Sequence, residues 1–398
     1  MVKGPGISRT PLPLGFQSSG VNCGVRKYRP DIGIIFSDRD CVAAGVFTTN
    51  ECKAAPVLYS KALVPAANIR AIVTNSGQAN AATGALGITN NRRMVEAAAA
   101  ALGVQASQVL SASTGKIGEQ MDIDKIVDGM SLLVDRAGFT AEPFALAILT
   151  TDLVPKTVTT TVALSTGNIT ITGISKGSGM IHPNMATMLG YLLTDAVLPQ
   201  KLANSLLKEA NALSFNMISV DGDTSTNDCA FLLANGASGV GLTTDADFAA
   251  FREALFGVSR ILAKAIARDG EGADRLIEVN VLGAPSKAMA VRAARGITVS
   301  PLIKTAMHGA DPNWGRFLAR LGAEQVPAKL LEKMVLEIQG VKVFASGMPL
   351  DFDRAEAHAR LKEETVVVNV HLHGGEEQAT AWGCDLSKRY VDINTDYN

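Results

Sequence analysis

Thr187, inside HPNMATML (residues 182–189), is a residue whose setting could turn an ordinary hydroxyl into a nucleophile. Just upstream, KGSGMI (residues 176–181) supplies Gly177 and Gly179, and glycines allow a strained bend that exposes one peptide bond to attack. If the Ala186–Thr187 bond is cut, the freed α-amine, with an ordinary pKa near ~8, can take the proton from its own hydroxyl. Spacing alone favours the plainer reading, a threonine opening a buried strand. Thr187, Leu189, Tyr191 and Leu193 would then share one face, with Met188 and Leu192 on the other. The glycines do not form a nucleotide loop, because their spacing fits neither GxxxxGK[ST] nor GxGxxG and a strand pattern follows where a helix is needed.

Other segments combine small, polar and charged residues. In SASTGKIGEQM (residues 111–121), Ser113-Thr114-Gly115 could present a hydroxyl and a backbone N–H to a developing oxyanion, but a Ser/Thr-Gly turn is common and the segment by itself favours a structural turn. NSGQANAATG (residues 75–84) reads as a turn and helix cap in which Asn75 and Asn80 fix a neighbouring loop. SVDGDTSTNDCA (residues 219–230) carries three aspartates but lacks the sixth-position glycine and twelfth-position glutamate of a calcium loop, which leaves a hydrogen-bonded turn. Glu271, in DGEGADRLIEV, and Lys304 and Asp311, in KTAMHGADPNWGR, are charged residues among small ones, as in substrate pockets and in solvated loops.

These segments must be positioned by a chain of 398 residues, 47% hydrophobic and 19% charged, a globular composition long enough for a large core. Lysine and arginine (37) balance aspartate and glutamate (38), which leaves no electrostatic footprint for nucleic acid or an anionic membrane. The opening residues contain three prolines (Pro5, Pro11 and Pro13) and no apolar core, so no signal peptide is expected, and no run reaches the ~18 apolar residues of a membrane span. Five scattered cysteines point to reduced thiols in a cytosolic protein. His371 and His373 share a strand face with nothing to complete a zinc site.

Strand-like runs (DIGIIF, AIVTN, TVTTTVAL, NITITGI, AFLLANG, LIEVNVLG, VLEIQG, TVVVNVHL) are interleaved with helical ones. DFAAFREALFGVSRILAKAIARDG puts Phe248, Phe251, Leu255, Val258 and Leu262 on one face behind a start signal at Thr244 and Asp247. RRMVEAAAAALG follows capping residues Asn90 and Asn91, and PQKLANSLLKEANAL opens on a proline suited to a first turn. Strands occur both in adjacent pairs and alternating with helices. The expected class is therefore α+β, a layered mixed-sheet core with flanking helices, with a further C-terminal α/β subdomain from about residue 285 to 398.

In their order, GF at Gly15–Phe16, AAGVFTTNECKAAPV, NSGQANAATG, STGKIG, KGSGMIHPNMATML, VDGDTSTND, DGEGA, KTAMHGADPNWGR and WGCDLSKRYVDIN resemble the ornithine acetyltransferase (glutamate N-acetyltransferase) family of arginine biosynthesis nearly end to end. The resemblance implies the fold of self-cleaving aminopeptidases and ornithine acetyltransferases. It also implies self-cleavage between Ala186 and Thr187, into an α chain of residues 1–186 and a β chain of residues 187–398. Thr187 matches the acetyl-carrying nucleophile, and Thr114 and Gly115 match the oxyanion pair. Lys176, Glu271, Asn394 and either Thr150 or Thr151 match substrate-holding positions, Lys176 suiting a carboxylate and Glu271 an amine.

The implied reaction moves acetyl from N-acetylornithine to glutamate by ping-pong through an acetyl-threonine, with no metal or bound organic cofactor. The implied assembly is a cytoplasmic α2β2 heterotetramer, and acetyl-CoA is a possible second donor. An aminopeptidase or amidase with the same self-cleaved nucleophile is the alternative. The chain departs from the family pattern at Lys116, Gln78, Ala82, Met217 and His182, and it ends sooner than relatives often do. Lys116 stands beside the implied oxyanion pair, where it either favours negative charge or points to solvent.

Overall fold

The computed structural model describes residues 9–182 and 188–396. Strands run in chain order as β1 (Phe16–Val21), β2 (Ile32–Phe47), β3 (Ala66–Gln78), β4 (Val109–Lys116), β5 (Lys156–Leu164), β6 (Gly167–Lys176) and β7 (Leu189–Thr194). They continue as β8 (Ile218–Ser219), β9 (Cys229–Ala234), β10 (Leu276–Ala284), β11 (Val335–Ile338), β12 (Val341–Ala345), β13 (Met348–Pro349), β14 (Thr365–His371) and β15 (Glu377–Cys384). With helices between and beside them, they make two mixed sheets, the α+β architecture expected. The chain forms two compact units. The first holds residues 1–177, 183–216 and 224–262, and the second residues 178–182, 217–223 and 263–398.

In the first unit the strand order is β4-β3-β2-β9-β7-β6-β5, with β1 on β2. The pairs β3–β4 and β7–β9 are parallel and the other pairs antiparallel. Apolar residues fill both faces, which explains runs such as DIGIIF that do not alternate with polar residues. Ile32, Ile34, Ala71, Val73 and Val109 face one cluster with Met94, Val95 and Ala98 of the helix Gly84–Leu102. Their strand neighbours Ile35, Ile72 and Leu110 face the other, with Phe16, Phe144, Leu189, Tyr191, Leu193 and Phe231.

The register of β2 against β3 shifts between Phe36 and Cys41; β1 pairs with its first half and β9 with its second, while β3 pairs along both. The sheet bends there around the second cluster, and Tyr191 of β7 reaches Thr74 of β3 with a 2.9 Å hydrogen bond. The Phe144 ring packs edge-on against Tyr191 at 4.8 Å between centroids.

The second sheet has the order β13-β12-β11-β14-β10-β15-β8. Strands β10 and β14 are parallel, and β14 alternates buried valines (Val366, Val368, Val370) with half-exposed residues. Ala293, Ala294 and Ile297 of the helix Lys287–Val299 are buried as well.

Three helical details differ from expectation. The helix containing RRMVEAAAAALG starts at Gly84, and Asn90 and Asn91 are buried inside it. Thr83 is its N-cap and makes no side-chain capping bond; Asn80 braces this turn, donating to the Gly87 carbonyl (2.9 Å) and accepting from the Thr83 hydroxyl (2.7 Å). Pro199 occupies the cap just before the helix Gln200–Ala212 rather than its first turn. In the helix Asp245–Arg268 the start signal holds, Thr244 and Asp247 exchanging backbone-to-side-chain bonds of 3.1 Å. Phe248 is 39% exposed, whereas Phe251, Leu255, Val258 and Leu262 are buried. All five cysteines are free thiols. No helix among the described residues is long and apolar enough to cross a membrane.

Removing the Phe144 ring empties a fully buried site at the bend of the first sheet. Phe144→Ala is expected to destabilise the protein by about 3–5 kcal/mol, read as a lower midpoint in denaturant unfolding. A midpoint within error of the parent would show that this cluster does not hold the bend.

Candidate active site

Asp152 organises the polar centre of the first unit. Its carboxylate is fully buried and accepts from the Lys156 ammonium (2.8 Å), the Gly177 N–H (2.7 Å) and the Thr150 N–H (3.1 Å), with the Lys176 ammonium 3.5 Å away. Burial works against its charge, but the pull of Lys176 and Lys156 and the donated hydrogen bonds outweigh it. The carboxyl is held well below the usual range.

Lys176, at the end of β6 and 7% exposed, also donates to Thr150 Oγ1 (2.8 Å) and Thr114 Oγ1 (3.2 Å). Thr114, Thr150 and Lys176, from separate segments, therefore meet in one cluster. Of the two adjacent threonines, the hydroxyl that reaches Lys176 is that of Thr150. The loop carrying Thr150 and Asp152 follows the helix Glu142–Ala147, whose Phe144 and Ala145 are core residues. Hydrogen bonds tie it down from the Ser76 hydroxyl to the Ala147 carbonyl (2.6 Å) and from Arg26 to the Leu149 carbonyl (2.5 Å).

Thr114 and Gly115 end β4 beside Ser76 and Gly77 of the parallel β3. Gly115 has φ +133°, and a Cβ there would collide with the Gly77 main chain, so both conformation and space require glycine. The turn is braced by the Ser113 hydroxyl donating to Asn75 Oδ1 (2.5 Å) and by the Asn227 amide donating to the carbonyls of Ser113 (2.9 Å) and Ala79 (2.5 Å). Lys116 turns to solvent, 44% exposed, with Glu119 at 3.6 Å.

In the second unit Glu271 sits between glycines with separate jobs. A Cβ on Gly270 would lie 2.7 Å from Cys384 Sγ. Gly272 has φ +70°, and a Cβ on it would lie 2.5 Å from the Tyr390 nitrogen. The turn thus packs against the backbone of the helix Lys388–Asp396, where Asn394 donates to the Glu271 carboxylate (2.9 Å). A side chain on Gly179 would collide with that carboxylate, so the glycine makes room for Glu271.

The strained backbone in this stretch belongs to Met180, at φ +55°. Asp221 holds it there by accepting the N–H groups of Met180 (2.6 Å) and Ile181 (2.8 Å). Burial raises the Asp221 pKa despite these bonds. Burial, then the charges of Asp221, Glu271 and Asp223, push the Tyr390 hydroxyl up. The surroundings of Tyr390 are thus acidic and suit a cation.

Ala186 and Thr187 lie outside the described residues. Lys304 and Asp311 serve structure: Lys304 is buried against the Cys384 carbonyl, and Asp311 accepts from the Asn313 side chain (3.0 Å). Asp274, His308 and Asp385 bring ligand-type atoms within 4.8 Å of one another. Asp385 already accepts from the N–H groups of Asp274 and Arg275, and Arg275 and Arg389 balance the acids, so an ion-pair network accounts for the group. Sequence reasoning missed Asp152, Asn227 and Asp221, although ILTTD and VDGDTSTND contain them.

The ArgJ family model matches residues 17–398. The arginine biosynthesis bifunctional protein ArgJ of Thermotoga neapolitana is 44% identical, over 97% of this chain and 99% of its own length. That of Dehalococcoides mccartyi is 45% identical, over 97% of this chain and 96% of its own. The crystal structure of arginine biosynthesis bifunctional protein ArgJ from Bacillus halodurans matches with TM-score 0.51 and 40% identity, covering 52% of this chain and 99% of the solved one.

Asp152 has a folded-state pKa below its unfolded value of about 3.9. Its charge therefore stabilises the fold above that value, and the contribution is lost as pH falls. Asp152→Asn, which leaves two buried ammonium groups facing each other, is expected to cost about 3–5 kcal/mol at neutral pH and to flatten the acid limb of the stability profile. An unchanged acid limb in urea titrations would remove Asp152 from this role.

Proposed function

The chain belongs to the ArgJ family and is an acyltransferase, and we propose that it moves an acetyl group from N-acetylornithine to glutamate through an acetyl ester on Thr187. The precursor first cuts itself. The Thr187 hydroxyl adds to the Ala186 carbonyl, the amide becomes an ester, and water hydrolyses it, leaving a carboxylate on Ala186 and a free amine on Thr187. That amine then serves as base for its own hydroxyl.

In the first half-reaction Thr187 Oγ attacks the acetyl carbonyl of N-acetylornithine. The Thr114 hydroxyl and the Gly115 N–H stabilise the tetrahedral oxyanion, and ornithine leaves with the proton held by the Thr187 amine. Glutamate then binds the vacated place, and its amine takes the acetyl group to give N-acetylglutamate. Lys176 and Thr150 hold the substrate carboxylate, and Glu271 and Asn394 hold an amine. Nucleophile, base and oxyanion donors all come from the chain, so neither half-reaction calls for a metal or bound organic cofactor.

The observation that carries the reading is the convergence of Thr114 and Thr150 on the Lys176 ammonium. The half-length Bacillus chain, matched over 99% of itself and 52% of this one, supports a precursor cut near its middle. The relatives' description as bifunctional supports acetyl-CoA as a second donor to glutamate. We place the enzyme in the cytoplasm as α2β2.

Denaturing electrophoresis with intact mass should show two fragments meeting at 186/187, and Thr187→Ala one full-length, inactive chain. A parent that stays uncut while active would refute the mechanism. Release of ornithine at full rate without glutamate would point instead to a hydrolase of the same nucleophile type. Gly179→Ala, by displacing the Glu271 carboxylate, is expected to raise KM at least tenfold with kcat little changed in steady-state assays. An unaltered KM would free Glu271 of its binding role.

A further inference from the structure

The second unit holds a cavity of about 430 Å3 lined by none of the residues assigned to acetyl transfer. The helix Lys287–Val299 supplies Arg292, Arg295 and Gly296. Arg320 and Glu324 come from the end of the helix Trp314–Ala323 and the residue after it, and His182 completes the polar lining. The rest of the lining is apolar.

The charge in this cavity does not balance. Three guanidinium groups face one carboxylate, an excess of two positive charges. Glu324 is already engaged: its carboxylate pairs with Arg320 and its main-chain carbonyl accepts from Arg292 Nε (2.8 Å). Gly296 gives it room, since a Cβ there would lie 2.5 Å from Glu324 Cγ. The buried Nε of Arg320 has no hydrogen-bond partner among the described residues.

His182 adds no negative charge and is kept from adding a positive one. Arg295 Nη2 lies 3.1 Å from His182 Nε2, and a guanidinium only donates, so Nε2 accepts and the ring proton sits on Nδ1. Nδ1 donates to Ser219 Oγ (3.2 Å), which donates to the Ile181 carbonyl (3.2 Å). Burial, then Arg295 and Arg320, hold His182 down to about 4 against the opposing pull of Asp223.

We propose that this cavity is a ligand site for a small oxyanion, a phosphate or carboxylate group on a compact, partly apolar metabolite, held by Arg292, Arg295 and Arg320. Guanidinium forks match the paired oxygens of such groups, and the ligand supplies the negative charge that the lining lacks. An oxyanion on Arg295 competes with His182 Nε2 for the same donor. Occupancy is therefore read out at the residue that directly precedes segment 183–187.

The test is calorimetric titration of the purified full chain with inorganic phosphate and, separately, citrate, at constant ionic strength. Saturable binding of either is expected, phosphate alone indicating a phosphoryl ligand and citrate alone a carboxylate. Arg292→Ala and Arg320→Gln, checked for unchanged unfolding midpoints, should each weaken it at least tenfold. In the parent, the ring 15N signals of His182 should move along the same binding curve. Failure of both anions to saturate, binding unchanged in both variants, or a stationary His182 signal would each overturn the proposal.

Discussion

A buried carboxylate holding two buried ammonium groups sets the geometry on which the rest of the first unit depends. Burial alone would work against the charge of Asp152, and the two ammonium groups and the donated N–H groups outweigh it. Together they fix a charge that donors from three directions must meet. Lys156 comes from the start of β5, Lys176 from the end of β6, and the N–H groups come from Thr150 and Gly177. Because Lys176 is oriented by Asp152, its remaining hydrogens aim at Thr114 and Thr150. Lys176 is thus placed by an acid that also fixes the main chain of Thr150 beside it.

Glycine does similar work in the second unit by leaving space. Gly179, Gly270 and Gly272 each clear a different neighbour, and the result is a turn that seats Glu271 against Asn394. The glycines around residues 177–179 suggest, as a sequence, a loop that bends under strain. Gly179 instead makes room for a carboxylate, while strain of the left-handed kind falls on Met180 and is held by Asp221. An acidic lining of Asp221, Asp223 and Glu271 follows, suited to an amine in the way that Lys176 suits a carboxylate.

What was legible in the sequence follows from local physics. Val-, Ile- and Thr-rich runs became strands because their pattern is set by neighbours along the chain, and Thr244 and Asp247 cap a helix within one turn of each other. Less local features were not legible. Asn90 and Asn91 look like caps, yet that helix begins at Gly84, behind a turn that Asn80 braces through a bond seven residues ahead. Phe248 shares the helical phase of Phe251 but lies at the exposed beginning of its helix. Asp152 and Asn227 act on partners 24 and 114 residues distant, Lys176 and Ser113, and no spacing rule connects them. The site residues recognised by resemblance are those whose types speak for themselves; the residues that orient them look like ordinary loop polar groups.

The stretch from Lys176 to His182 joins these threads. The chain leaves the first unit after Gly177 and returns to it at residue 183. Its main chain is held at nearly every step: Gly177 by Asp152, Met180 and Ile181 by Asp221, while the Ser178 carbonyl accepts from the Glu271 N–H (3.0 Å). Each bond ties a backbone group that would otherwise be free to relax, and one of the anchored residues is in a conformation it would leave if released. On the far side Leu189 begins a strand buried on both faces, whose neighbours fix it from β6 and β9.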